Sequence, residues 1–146
     1  MNTVLRRTLQ LILAATVMIV AGCSGTTTIE SDLALGGHEN ARLDLHQKTE
    51  AIDLVNSRNV PVRVRVLGKR DRVVSNMLLN GHDQVRLDIL TARAVEFEND
   101  NDETALLHWT LRSHERIAYT MALNPCGEAG SCVAVTVGLG GAYFAS

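Results

Sequence analysis

Aromatic residues are scarce in this chain. Phe97, Trp109, Tyr119, Tyr143 and Phe144 are all it has in 146 residues. Proteins that stack sugars or bases need several aromatic platforms, so the shortage counts against both as partners. Charge of one sign is also lacking. The formal net charge is −2. Arg6 and Arg7 lie in the first 22 residues; without them twelve basic residues face sixteen acidic ones. That balance gives no case for nucleic-acid binding. No apolar run is long enough to span a bilayer. The longest, Leu9–Ala21, reaches about 20 Å as a helix, short of a hydrocarbon core of roughly 30 Å. Catalytic signatures are missing too. There is no Gly-x-Ser-x-Gly and no His-Glu-x-x-His. The tail Gly138-Leu-Gly-Gly-Ala-Tyr has Tyr143 where a dinucleotide loop needs glycine. These gaps leave a non-enzymatic domain without a cofactor as the expectation.

What is present begins at the N-terminus. Met1–Thr8 carries Arg6 and Arg7 and no acid, and an apolar stretch follows, broken only by Gln10 and Thr16. This is the n-region and h-region order of a signal peptide. The run ends in Val20-Ala21-Gly22-Cys23, a branched apolar residue, two small residues and a cysteine. It resembles the lipobox of bacterial lipoproteins, and the resemblance covers about the first 23 residues. It implies a diacylglyceryl group on the Cys23 thiol and cleavage between Gly22 and Cys23. With Ser24 rather than aspartate next, it implies transfer to the outer membrane, facing the periplasm. Two or more acyl chains anchor a protein stably, where one does not.

The expected organisation is a signal peptide over 1–22, a lipidated flexible tether over 23–40, and one domain over 41–146. The tether stretch, SGTTTIESDLALGGHEN, is small and polar, with a Gly36-Gly37 pair and no sustained period. Fully extended, it would reach at most about 60 Å.

From Arg42 the dominant period is two, the mark of half-buried strands. Val60, Val62, Val64 and Val66 alternate with Pro61, Arg63 and Arg65. Val85, Leu87 and Ile89 alternate with Arg86 and Asp88. Pro61 suits an edge or a strand start, and Asn80-Gly81 reads as a tight hairpin turn. Shorter candidate strands are 43–46, 51–55, 73–79, 94–98 and 133–137. Residues 103–123 read in two ways. As a helix they would collect Leu107, Leu111 and Ile117 on one face. As a hairpin turning at 112–116 they would bury Trp109 and Tyr119 as well, and the hairpin is preferred. The expected fold is therefore all-β: an immunoglobulin-like or fibronectin-like β-sandwich, or a small barrel. An α+β fold with a helix at 103–123 is the alternative. The stretch from Asn56 to Ile89 looks like a strand pair of such a sandwich.

Three groups of residues invite chemistry. Cys126 and Cys132 flank a glycine-containing loop in a chain expected to be exported, which points to a disulfide. With Cys23 assigned to lipid, these two form an even pair. The five histidines, at 38, 46, 82, 108 and 114, lack metal-ligand spacing. Arg63, Arg65, Lys69, Arg70 and Arg72 form a basic segment, countered by Glu96, Glu98, Asp100, Asp102 and Glu103. The two segments could pair across strands, or the basic one could be a contact surface for phosphate-bearing lipid or an acidic partner. The expected function is an envelope-anchored interaction or assembly module with a protein partner. The alternative is a periplasmic lipoprotein that binds a small ligand or a metal.

Overall fold

A computed structural model describes residues 25–123 throughout, and the backbone of strands at 18–21, 133–138 and 141–144. The described chain is all-β. Twelve strands run β1 (Met18–Ala21), β2 (Thr27–Leu35), β3 (Asn40–Leu45), β4 (Ala51–Asn56), β5 (Val62–Leu67), β6 (Val73–Leu79), β7 (Gln84–Asp88), β8 (Ala94–Glu98), β9 (Ala105–Ser113), β10 (Ala118–Leu123), β11 (Val133–Gly138) and β12 (Gly141–Phe144). They form two antiparallel sheets. One has the order β1-β2-β9-β4-β7; the other has the order β12-β11-β10-β3-β8-β5-β6.

The pairing has a simple logic. β5 pairs with β6, β4 with β7, β3 with β8 and β2 with β9. These eight strands are one long antiparallel ribbon, folded at residues 68–72 and then rolled up. Alternate rungs fall in opposite sheets. That is the jelly-roll arrangement, a way of stacking two sheets with few open edges. The expected all-β sandwich is present. The immunoglobulin-like refinement is not confirmed, because its sheets would join strands in the order ABED and CFG.

Binary patterning explains why the ribbon rolls. Each strand offers one apolar side. Ile29, Leu33 and Leu35 of β2, Leu54 of β4 and Leu107, Trp109 and Leu111 of β9 come from the first sheet. Leu43, Val62, Val64, Val66, Val95, Phe97 and Tyr119 come from the second. All are buried, and full burial of such a side chain contributes roughly 1.5–3 kcal/mol. The space between the sheets is filled by these side chains.

Four expectations are corrected. Residues 27–40 are not tether: β2 pairs with β9 over its whole length. Its inward positions, Ile29, Ser31, Leu33 and Leu35, keep the period of two, with a small serine breaking the apolar row. The 103–123 segment is neither a helix nor a hairpin. Its two strands have the expected inward faces, but β9 lies between β2 and β4 while β10 lies between β3 and β11. Within the stretch from Asn56 to Ile89, the strands at 62–67 and 84–88 are not partners: β5 pairs with β6 and β8, and β7 pairs with β4. β5 lies in one sheet and β7 in the other, and the Asn80–Asp83 turn carries the chain across. In that turn His82, not Gly81, takes the positive φ of 64°. Gly81 is required for another reason: a Cβ there would sit 2.5 Å from the Cα of Asn59.

The roll has two ends. β2 begins at a base formed by loops 46–50, 68–72, 89–93 and 114–117. The opposite end, the crown, is formed by loops 36–39, 57–61, 80–83 and 99–104. Backbone hydrogen bonds stitch the base: Arg93 N–H donates to Leu67 O at 2.7 Å and Ile89 N–H to Glu50 O at 3.0 Å. Two buried asparagines hold the crown. The Asn99 amide donates to the carbonyls of Leu35, Gly36 and Glu103 at 3.1, 2.9 and 2.7 Å. The Asn56 amide donates to Val60 and Leu79 at 2.8 and 3.3 Å.

Candidate functional site

The basic segment divides in two. Arg63 and Arg65 lie on the outer face of the second sheet, where β5 runs between β6 and β8. Antiparallel register sets Arg63 opposite Glu98 and Arg65 opposite Glu96. Arg65 Nη2 donates to Glu98 at 3.2 Å, and its Nε lies 3.4 Å from Glu96. Arg63 Nη2 donates to Asp100 at 3.1 Å. On the far side of β8, Arg42 donates to Asp71, Asp44 and Glu96 at 2.7, 2.9 and 3.3 Å. Its hydrogen bond to Asp71 is the largest of the effects that raise the Arg42 pKa above its ordinary value. Charges of both signs alternate across three strands, and this face is neutralised from within. Isolated exposed pairs contribute about 0–1 kcal/mol each, and the linked arrangement holds the strands in register.

Lys69, Arg70 and Arg72 are elsewhere. They sit in the turn at the base, all exposed, and make no side-chain ion pair among the described residues. Arg70 and Asp71 have positive φ values of 58° and 55°. That backbone swings Asp71 onto Arg42 and leaves its basic neighbours facing solvent. The spacing of Arg63 to Arg72 therefore does not define one surface.

The edge of the second sheet is the other exposed feature. Among the described residues β6 pairs only with β5. Its outer face shows Val74 at 60% and Leu78 at 54% exposure. An edge strand with unpaired backbone groups and exposed apolar side chains is a template for another strand. The alternation over 73–79 marks a strand and no more. The exposed Val74 and Leu78 were visible as apolar residues on the face shared with Arg63 and Arg65, but the edge position depends on the roll.

The histidines do not converge. His38 Nε2 is 2.8 Å from Asp102, His46 Nε2 is 2.6 Å from Thr120 Oγ1, and His108 Nδ1 is 2.9 Å from Asp32. His108 on β9 and Tyr119 on β10 lie in different sheets. His114 bonds Glu50, and that hydrogen bond holds the Glu50 carboxyl below its ordinary value. No group of three metal-ligating side chains occurs among the described residues. An open cleft of about 410 Å³ lies on the crown between Asn59–Pro61 and Asp100–Glu103. It is lined mainly by the polar loops that Asn99 and Asn101 tie down. Cys23, Cys126 and Cys132 lie outside the described residues.

No family model matches the chain, and no curated protein does. Among solved structures, CENP-C from Drosophila melanogaster is similar at 13% identity and a TM-score of 0.45, over 77% of this chain and 95% of that one. The cupin_2 domain of an XRE family transcriptional regulator from Enterobacter cloacae is similar at 12% identity and a TM-score of 0.43, over 67% and 95%.

Proposed function

We propose that the protein is a bacterial envelope lipoprotein whose jelly-roll domain works by contact with a protein partner rather than by catalysis. The anchor is a diacylated Cys23, exposed by cleavage after Gly22, in the outer membrane and facing the periplasm. What supports the anchor is the ordered n-region, h-region and lipobox. Cys126 and Cys132 close a disulfide in this reading, and an oxidised protein gives no alkylation at either thiol.

The observation that carries the contact function is the β6 edge. It is seven residues long, is irregular only near Val74, where the register against β5 shifts, and lacks the charged residues that usually blunt such edges. Val74 and Leu78 stand on its outer face, beside the self-neutralised Arg–Glu ladder. A partner strand added there gains main-chain hydrogen bonds, while side chains on alternate positions meet Val74 and Leu78. Cleavage after Gly22 would also remove β1, which pairs with β2. The β2 edge so uncovered carries Glu30 and Asp32, charges that discourage strand addition. The β7 edge carries Arg86 and Asp88 on its exposed positions, so among these three edges β6 is the one with uncharged, largely apolar outward side chains.

A photo-crosslinking residue at Leu78 in intact cells tests this. The expected result is one dominant adduct, lost when Val74 and Asn76 are replaced by lysine. Equal crosslinking from Leu78 and from an outer-face position on β2, such as Ala34, would remove the β6 edge from the account.

A further inference from the structure

The two ends of the roll carry opposite charge, and the chain enters at the positive one. The base loops hold Lys48, Lys69, Arg70, Arg72, Arg93 and Arg116 against three acids. All six basic side chains are exposed, and none makes an ion pair among the described residues. Two of the three acids are already engaged: Asp71 with Arg42 and Glu50 with His114. The crown reverses this balance, with Glu39, Asp83, Asp100, Asp102 and Glu103 against Arg58. By contrast, the strand arginines 42, 63, 65, 86 and 112 all have carboxylate partners. Of the seven described cations without an ion pair, six lie at the base and one, Arg58, on the crown.

Two further observations fall on the same end. Leu90 in loop 89–93 is 50% exposed, and Val73 at the start of β6 is 49% exposed. β2 also begins there, at Thr27. Only residues 24–26 separate it from Cys23, a reach of at most about 15 Å.

We infer that the base is a membrane-docking surface, which seats the domain on anionic phospholipid headgroups beside its own lipid anchor. This rests on the lipoprotein reading of Cys23. The short connection holds the base within reach of the bilayer. Lysine and arginine meet phosphate there, and Leu90 and Val73 enter the interface as apolar contacts. The acidic crown points away from the surface. The β6 edge then stands roughly upright, open to a partner along its length.

The test uses the protein purified from envelopes and reconstituted into vesicles of phosphatidylcholine alone or mixed with phosphatidylglycerol. Intact mass reports whether Cys23 carries lipid, and hydrogen exchange reports docking. The expected result is slowed exchange in loops 68–72, 89–93 and 114–117 on the anionic vesicles only, with the crown loops unchanged. Replacing Lys69, Arg70 and Arg72 by glutamine lowers the docked-to-undocked ratio by about fivefold for each charge removed. A lipidated protein whose base exchanges equally fast on both vesicles overturns the docking surface while the anchor stands. An unlipidated protein that still shows charge-dependent protection overturns the anchor while the docking surface stands.

Discussion

The rings of Trp109 and Tyr119 meet edge to face across the sandwich, with centroids 5.3 Å apart and planes at 86°. Trp109 belongs to β9 in one sheet and Tyr119 to β10 in the other, so this contact closes the roll at the step where the chain changes sheets. Such pairs contribute about 0.5–1.5 kcal/mol beyond the area they bury. Trp109→Ala is expected to cost about 3–5 kcal/mol. A double-mutant cycle with Trp109→Leu and Tyr119→Leu isolates the ring contact, and a coupling near zero would show that the rings only fill space.

Burial of Tyr119 also sets an alkaline limit on stability. Desolvation pushes its phenol up to about 12, against about 10 in an unfolded chain. The folded state therefore holds its proton where the unfolded state has released it. Stability is unaffected below pH 10 and falls between pH 10 and 12, by roughly 2–3 kcal/mol in all. Denaturant midpoints across this window, compared with Tyr119→Phe, read the effect. The phenylalanine variant should be flatter over the same range.

Asn99 is expected to matter more than any charged residue of the crown. Its amide serves three carbonyls, and its Oδ1 accepts from Asn101 N–H at 3.0 Å. Asn99→Ala leaves these groups short of partners and should cost about 1–3 kcal/mol. Asn99→Asp is worse at neutral pH, because a carboxylate then faces carbonyl oxygens. Urea midpoints measure both.

The strands could be read from the sequence far better than their partners. Periodicity places 73–79 and 94–98 to the residue, with Met77 and Leu79 turned inward in the first and Val95 and Phe97 in the second. It also selects the faces of 105–113 and 118–123 correctly. Neighbours were lost because a turn signal records that the chain reverses, not whether it stays in its sheet. Asn80-Gly81 looks the same in a hairpin and in a crossover. β2 was missed because Ser31 sits inward and Thr28, Glu30 and Asp32 face out, which reads as a polar linker when no partner is known. The basic segment misled in a similar way. Arg63 and Arg65 differ from Lys69, Arg70 and Arg72 only through register, which sets a glutamate opposite each of the first two.

That difference is measurable. Arg65→Glu sets three carboxylates together on β5 and β8 and should cost about 1 kcal/mol or more. Charge reversal of Lys69, Arg70 and Arg72 together touches no folded partner and should stay within about 0.5 kcal/mol. Thermal or chemical denaturation of the two variants separates structural from free basic residues.

Lipidation of Cys23 decides where the domain sits. The most direct measurement is the intact mass and N-terminal peptide of the protein recovered from bacterial envelopes, beside a Cys23→Ala variant. The expected protein starts at Cys23, lacks residues 1–22 and carries the added mass of its acyl groups, while the variant loses both the lipid and the membrane association. A chain that retains residues 1–22, or an unmodified Cys23 in a protein that stays equally membrane-bound as alanine, would contradict it.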